Sequence, residues 1–119
     1  MISLSKFKKS MGHAVRGLGE ELKTGHSFRV QIIVFAALIL IIVFLKIRSF
    51  DAALLILVAS GVIVLELINS VFERLLDIIS PGIGSHARDI KDIMAGAVLV
   101  AAFVSMIVGA IIIIPYLII

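Results

Sequence analysis

Four polar side chains recur on one face of a long apolar segment, and they are the residues best suited to chemistry. At 100° per residue, Glu66, Asn69, Glu73 and Asp77 fall within an arc of about 80° on a helix. An ionisable group inside a membrane span costs about 2.5 to 3.5 kcal/mol, so it indicates a functional site. Hard oxygen ligands suit Mg²⁺ with substrate phosphates, although a buried acid could also relay protons or ions. Acids that reach water or pair with Arg74 would explain Asp77 well and Glu66 poorly.

A second pair, Lys91 and Asp92, stands where the last apolar segment begins. The first N–H groups of a helix and its dipole favour phosphate, and Lys91 adds a positive charge. Such a pair is also common at membrane boundaries for topological reasons alone. The sequence has no Walker A loop, no glycine loop of protein kinases and no HExxH motif, and its three histidines do not share a metal-ligand spacing.

The composition excludes a soluble domain. The hydrophobic content is 61% and the mean hydropathy is +1.24, whereas soluble domains are about 45 to 50% apolar. The chain contains no cysteine, which excludes disulfides, thiolate metal sites and cysteine nucleophiles. Its net charge of +3 comes from basic residues beside apolar segments. Attraction to anionic lipid headgroups explains them, and no nucleic-acid partner is expected.

The apolar segments predict an all-α membrane protein that forms one domain over residues 1–119. Three segments are long enough for transmembrane helices, at 28–47, 52–73 and 92–117. Residues 4–25 place apolar side chains at helical spacing among basic ones, which predicts an amphipathic surface helix. The cytoplasmic loop is predicted at 74–91, and its helix breakers are Ser80, Pro81, Gly82 and Gly84.

The distribution of Lys and Arg predicts the orientation. Nine of these residues lie up to the amino-terminal end of the first span or between the second and third, and only Lys46 and Arg48 lie at the opposite side, where the first span ends. The positive-inside rule therefore places the amino terminus in the cytoplasm. The acidic face would then meet cytoplasmic ATP.

At these residues the chain resembles the prokaryotic diacylglycerol kinase and undecaprenol kinase family of small three-span membrane enzymes. The family signature E-x-x-N-[ST]-x-x-E-x-x-x-D appears from Glu66 to Asp77, and its KD-x-x-[AS]-x-AV block appears from Lys91 to Val98. The Phe28-Arg29 pair and an upstream Gly17-Leu18 pair extend the similarity over nearly the whole chain. The Ser80-Pro81 turn and the AGAV segment slightly favour the undecaprenol branch.

The resemblance implies phosphoryl transfer from Mg²⁺-ATP to undecaprenol or diacylglycerol at the cytoplasmic face of the bacterial inner membrane. It also implies a homotrimer whose sites are shared between subunits. It assigns roles to eight residues: Glu66 as general base, Glu73 as metal ligand, Asn69 for phosphate or metal, Lys91 and Asp92 for the nucleotide, and Arg29, Ala95 and Asp77 for lipid or positioning.

Two departures from the family pattern keep other functions open. Gly25 stands where the family usually has a metal-ligating glutamate, and Gly82, Ile83 and Gly84 replace a Glu-Tyr-His associated with the nucleotide. Glu21 lies one helical turn before Gly25 and would replace the missing ligand only if the surface helix shifts. These departures favour a second hypothesis, a non-catalytic relative that binds lipid or nucleotide. The third hypothesis is a small ion or proton channel.

Overall fold

The computed structural model describes residues 3–79 and 84–118, and these residues form four helices without a strand. The helices are α1 (Leu4–Thr24), α2 (His26–Phe44), α3 (Ser49–Ile79) and α4 (Ser85–Leu117). Helix α3 packs against both α2 and α4, and α1 packs against α2. The predicted all-helical architecture is confirmed, with α3 at its centre.

Three of the helices, α2, α3 and α4, are long and apolar enough to cross a membrane by length and composition. Two of them extend well beyond the predicted spans, since α3 continues to Ile79 and α4 begins at Ser85. Much of the predicted loop at 74–91 is therefore helical. The span boundaries themselves stay predictions. Ser80, Pro81, Gly82 and Ile83 lie outside the described residues, and Gly84 precedes α4 in an extended conformation.

Helix α1 spans Leu4–Thr24, and most of its surface is uncovered by the rest of the described chain. The side chains of Leu4, Phe7, Met11 and Val15 are all more than half exposed. Glu21 is the one buried residue of this helix. The helix ends at Gly25, whose N–H donates to the carbonyl of Glu21 across 2.7 Å.

The turn between α2 and α3 is held by its own backbone. Lys46 adopts the left-handed conformation with φ of 53°, and the N–H of Ile47 donates to the carbonyl of Ile42 across 3.1 Å. The N–H of Lys46 donates to the carbonyl of Val43. This is the Schellman arrangement, which satisfies the last carbonyls of α2 and reverses the chain within a few residues.

Few side chains are buried within a single chain. The buried hydrophobic residues of the described part are Phe28, Ile47, Leu55 and Val62. Three polar residues are equally buried: Glu21, Glu66 and Asn69. Polar groups enter an apolar environment only at a cost that hydrogen bonds or charge partners must offset, so the surroundings of these three residues decide whether that cost is met.

Candidate active site

Helix α3 carries the polar centre of the site. Glu66 and Asn69 are each 8% exposed, whereas Glu73, one turn beyond Asn69, is exposed. The amide nitrogen of Asn69 donates to Oε1 of Glu73 across 3.2 Å. Because residues four apart lie on the same helix face, the predicted grouping of the two glutamates with Asn69 follows from the helix itself.

A cavity of about 450 Å³ opens beside these three residues. Helices α2 and α4 supply its other walls, so all three long helices contribute. It is lined by His26, Ser27, Val30, Gln31, Glu66, Asn69, Glu73, Ala95, Val98, Leu99 and Ala102. Ala95, chosen from the sequence for lipid or positioning, therefore lies opposite the acidic residues.

This cavity and its neighbour, which together we call the groove, follow the helices. A second cavity of about 180 Å³ shares Gln31 and Ala102 with the first and reaches Ala59 and Phe35. From Glu66 to Ala59 the groove follows α3 for about 10 Å, at 1.5 Å per residue. One end is acidic and the other apolar, which suits an amphiphile with a polar head and a hydrocarbon chain.

Of the residues predicted to bind the nucleotide, Asn69 lines the cavity, whereas Lys91 and Asp92 do not. Nζ of Lys91 lies 2.7 Å from Oδ1 of Asp77, which joins α4 to the carboxyl-terminal end of the acidic face. Asp92 is exposed, and no ion pair involves it within residues 3–79 and 84–118. The Arg29 guanidinium donates to the carbonyl of Lys23 across 3.3 Å and does not line the main cavity.

A cluster that the sequence-based assignment did not include ties α1 to α3. Oε2 of Glu21 accepts a hydrogen bond from the Ser70 hydroxyl at 2.9 Å, and Oε1 accepts one from Arg74 at 2.7 Å. Arg74 also donates to the Thr24 hydroxyl across 3.0 Å. Arg74 thus pairs with α1 instead of with the acidic face of its own helix. Ser70 and Arg74 are four residues apart on α3, but only the fold reveals that Glu21 meets them.

The side-chain oxygens of the 450 Å³ cavity, which is the main cavity of the site, are suitable ligands for Mg²⁺. Oδ1 of Asn69 is buried without a hydrogen-bond partner, and the carboxylates of Glu66 and Glu73 lie on the same helix face. No group of three or more histidine or acidic side chains converges on one point in the described part of the chain. Mg²⁺ often takes only one or two carboxylates and completes its octahedron with water and substrate phosphates, which agrees with this arrangement.

Comparison with known proteins places the chain in a family. Residues 12–113 match the model of the family described as prokaryotic diacylglycerol kinase. The chain is 32% identical to an undecaprenol kinase of Bacillus subtilis over 114 residues, which cover 96% of this chain and 93% of that protein. It is also 32% identical to a diacylglycerol kinase of Synechocystis over 108 residues, covering 89% of this chain and 61% of that protein. The chain belongs to the prokaryotic diacylglycerol kinase family.

Proposed function

We propose that this protein is an ATP- and Mg²⁺-dependent kinase of a membrane lipid alcohol, acting as a homotrimer at the cytoplasmic face of a bacterial inner membrane. The observation that carries this function is the buried carboxylate of Glu66, which faces a cavity with an acidic end and an apolar continuation. Both curated relatives are named as lipid kinases, which supports a lipid acceptor.

Glu66 is the general base of the proposed reaction. The lipid hydroxyl oxygen forms a bond to the γ-phosphorus of ATP, the bond from that phosphorus to the bridging oxygen breaks, and ADP leaves. The hydroxyl proton passes to the Glu66 carboxylate. A base within the membrane suits an acceptor that stays in the lipid layer, because its hydroxyl reaches only the polar end of the groove.

Glu73 and Asn69 hold the cation, and Lys91 with Asp92 contacts the nucleotide. When bound, Mg²⁺ neutralises the charge of the phosphates during transfer. Asn69 is suited to this position because its amide is already fixed by Glu73 while its oxygen remains free. Lys91 must exchange Asp77 for phosphate to contact the nucleotide, because its ammonium group is paired with that carboxylate in the structure.

The acceptor lies with its hydrocarbon chain along the groove towards Phe35 and Ala59. Apolar residues of α2, α3 and α4 line this path, and the carboxylates occupy its polar end. Burial of a hydrocarbon chain beside Val98 and Leu99 would hold the hydroxyl next to Glu66. Both undecaprenol and diacylglycerol have a hydroxyl at the head of such a chain, and the resemblance slightly favours undecaprenol.

The test is transfer of labelled phosphate from ATP to undecaprenol and to diacylglycerol by purified protein in lipid. We expect Glu66→Gln to reduce kcat by a factor of about 10² to 10⁴, which is the usual contribution of a general base. Glu20→Gln is the matched control, because Glu20 is an exposed glutamate of α1 whose loss should leave kcat unchanged. Folded wild-type protein that phosphorylates neither lipid would refute the kinase.

The second candidate is a non-catalytic relative that binds nucleotide or lipid. Two features of the sequence favour it: position 25 has no carboxylate, and Gly82, Ile83 and Gly84 replace the Glu-Tyr-His of the family pattern. Nucleotide binding without turnover, equally strong in wild type and Glu66→Gln, would support this candidate over the kinase.

A further inference from the structure

Glu21 is an unusual residue of α1 because it alone is buried in a helix that is otherwise largely uncovered. Glu21 is buried, with 8% of its surface exposed, whereas the neighbouring Glu20 lies on the exposed surface. A carboxylate loses hydration when it is buried, and charged hydrogen bonds must offset that cost. The Arg74 guanidinium and the Ser70 hydroxyl provide them at 2.7 and 2.9 Å.

Gly25 leaves the room that this carboxylate occupies. A Cβ at position 25 would lie 2.8 Å from Oε2 of Glu21 and 2.9 Å from its carbonyl oxygen. It would also lie 3.3 Å from Cβ of Phe28, which is buried. Oε2 is the atom that accepts the hydrogen bond from Ser70. The absence of a side chain at Gly25 and the position of Glu21 are therefore linked.

The cluster lies directly beside the proposed catalytic centre. Ser70 follows Asn69 in the chain and is one helical turn beyond Glu66. On the other side of Gly25, His26 and Ser27 begin α2 and line the main cavity. Helix α2 provides one wall of the cavity, and α3 carries Glu66. The contacts of Glu21 thus join these two parts of the site.

We propose that Glu21 is a positioning residue, which acts through Ser70 and Arg74 to hold the α1–α2 junction against α3 and so sets the width of the cavity at Glu66. The proposal rests on the proposed kinase function. Glu21 does not contact the reactants in this role. The glycine at position 25, where the family pattern has a glutamate, then belongs to a different set of contacts that holds the site in place.

The experiment compares Glu21→Ala, Arg74→Ala and the double variant with wild type and with Glu20→Ala as the control. We expect each single variant to reduce kcat at least tenfold, with KM for Mg²⁺-ATP changed less than threefold, because the residues proposed for the cation and the nucleotide lie on α3 and α4 and not at the α1–α2 junction. The double variant should lose no more than either single one, since both remove the same contact. Glu21→Gln keeps an acceptor for Ser70 and should lie between wild type and Glu21→Ala.

A distance measurement provides a readout that is independent of turnover. The chain has no cysteine, so spin labels on cysteines introduced at Lys9 of α1 and Leu57 of α3 report on one pair of sites when labelled chains are diluted with unlabelled ones. The distance distribution should broaden in Glu21→Ala and Arg74→Ala and stay narrow in Glu20→Ala.

Two results would overturn the proposal. One is an unchanged distance distribution in Glu21→Ala. The other is a Glu21→Ala variant without activity beside an Arg74→Ala variant with wild-type activity, which would mean that Glu21 acts on the reactants. If wild type itself phosphorylates no lipid, the kinase function fails, and the distance measurement still decides whether Glu21 holds α1.

Discussion

Burial distinguishes the acidic residues that share one face of α3. Glu66 is buried beside the cavity, Glu73 is exposed and bonded to Asn69, and the Asp77 side chain is 69% exposed and paired with Lys91. A carboxylate that is shielded from water interacts more strongly with a nearby hydroxyl than an exposed one does. This gradient agrees with a base at Glu66, a cation ligand at Glu73 and a supporting role at Asp77.

The substitution Gly25→Glu separates two explanations of the missing glutamate. If Gly25 were only an empty ligand position, the new carboxylate would strengthen the cation site and raise activity. Because a Cβ there would meet Glu21 and its carbonyl oxygen, we instead expect kcat to fall at least fivefold. The measurement is lipid phosphorylation over a series of Mg²⁺ concentrations, with Gly12→Glu as the control, since nothing lies within 4 Å of a Cβ at Gly12.

A rise in activity of Gly25→Glu at low Mg²⁺ would contradict this expectation. It would show that the backbone around Phe28 yields easily and that the acid restores a ligand.

The residues of one helix could be grouped from the sequence, whereas those of different helices could not. Glu66, Asn69 and Glu73 share a face because of helical periodicity alone. Glu21 meets Ser70 and Arg74 across separations of 49 and 53 residues, which periodicity does not address. A missing glutamate at Gly25 was visible in the sequence, but the side chain that fills its space was not.

At the scale of the helices, apolar length predicted the number of elements but not their ends. Three apolar segments gave three long helices because backbone groups in lipid must be bonded within the segment. The continuations of α3 and α4 beyond these segments, at residues 74–79 and 85–91, carry charged residues and are helical as well. Mean hydropathy falls where charged residues begin, whereas a helix continues as long as its backbone hydrogen bonds continue. The end of an apolar segment therefore does not locate the end of its helix.

The ion pair between α3 and α4 predicts an effect on nucleotide binding. Asp77→Asn frees Lys91 from its partner, and we expect KM for Mg²⁺-ATP to fall by up to about fivefold, since such an exposed pair is worth at most about 1 kcal/mol. The effect should shrink as salt rises from about 0.01 M to 1 M, because screening weakens exposed pairs. Asp89→Asn on α4 is the control. A higher KM in Asp77→Asn would mean that Asp77 itself positions the nucleotide.

The opposite ends of the long helices are joined by a second polar contact. The Tyr116 hydroxyl donates to Oδ2 of Asp51 at 2.9 Å and accepts a hydrogen bond from the N–H of Arg48 at 3.1 Å. We expect Tyr116→Phe to destabilise the protein by about 0.5 to 1.5 kcal/mol, the usual net value of a hydrogen bond. Thermal unfolding in detergent measures this loss.

The same Tyr116→Phe variant tests how the two ends are related. The contact lies far along α3 from Glu66, so kcat measured well below the melting temperature should stay within twofold of wild type. A large loss of kcat without a loss of stability would show that the α2–α3 turn affects the reaction.

At the scale of the whole molecule, a single chain leaves most of its apolar surface uncovered. In the most apolar stretch of α4 no residue is buried, and in that of α2 only 6% of the residues are buried. Lipid accounts for part of this exposure. Helices in a membrane associate through small residues that let backbones approach closely, and α4 carries Gly96 and Gly109. These features agree with the proposed homotrimer.

Light scattering of the purified protein in mild detergent tests the trimer, with an expected protein mass of about three times 12.8 kDa. A Cβ at Gly96 or Gly109 would meet nothing within 4 Å in the single chain, so leucine at either position should leave each helix intact. If α4 lies between subunits, Gly96→Leu or Gly109→Leu should instead shift the mass towards one chain and lower lipid phosphorylation, because the proposed trimer shares its sites between subunits. Gly61→Leu on α3 is equally unobstructed within the chain and serves as the comparison. A wild-type mass of one chain would exclude the trimer, and an unchanged mass in both α4 variants would exclude α4 from its interface.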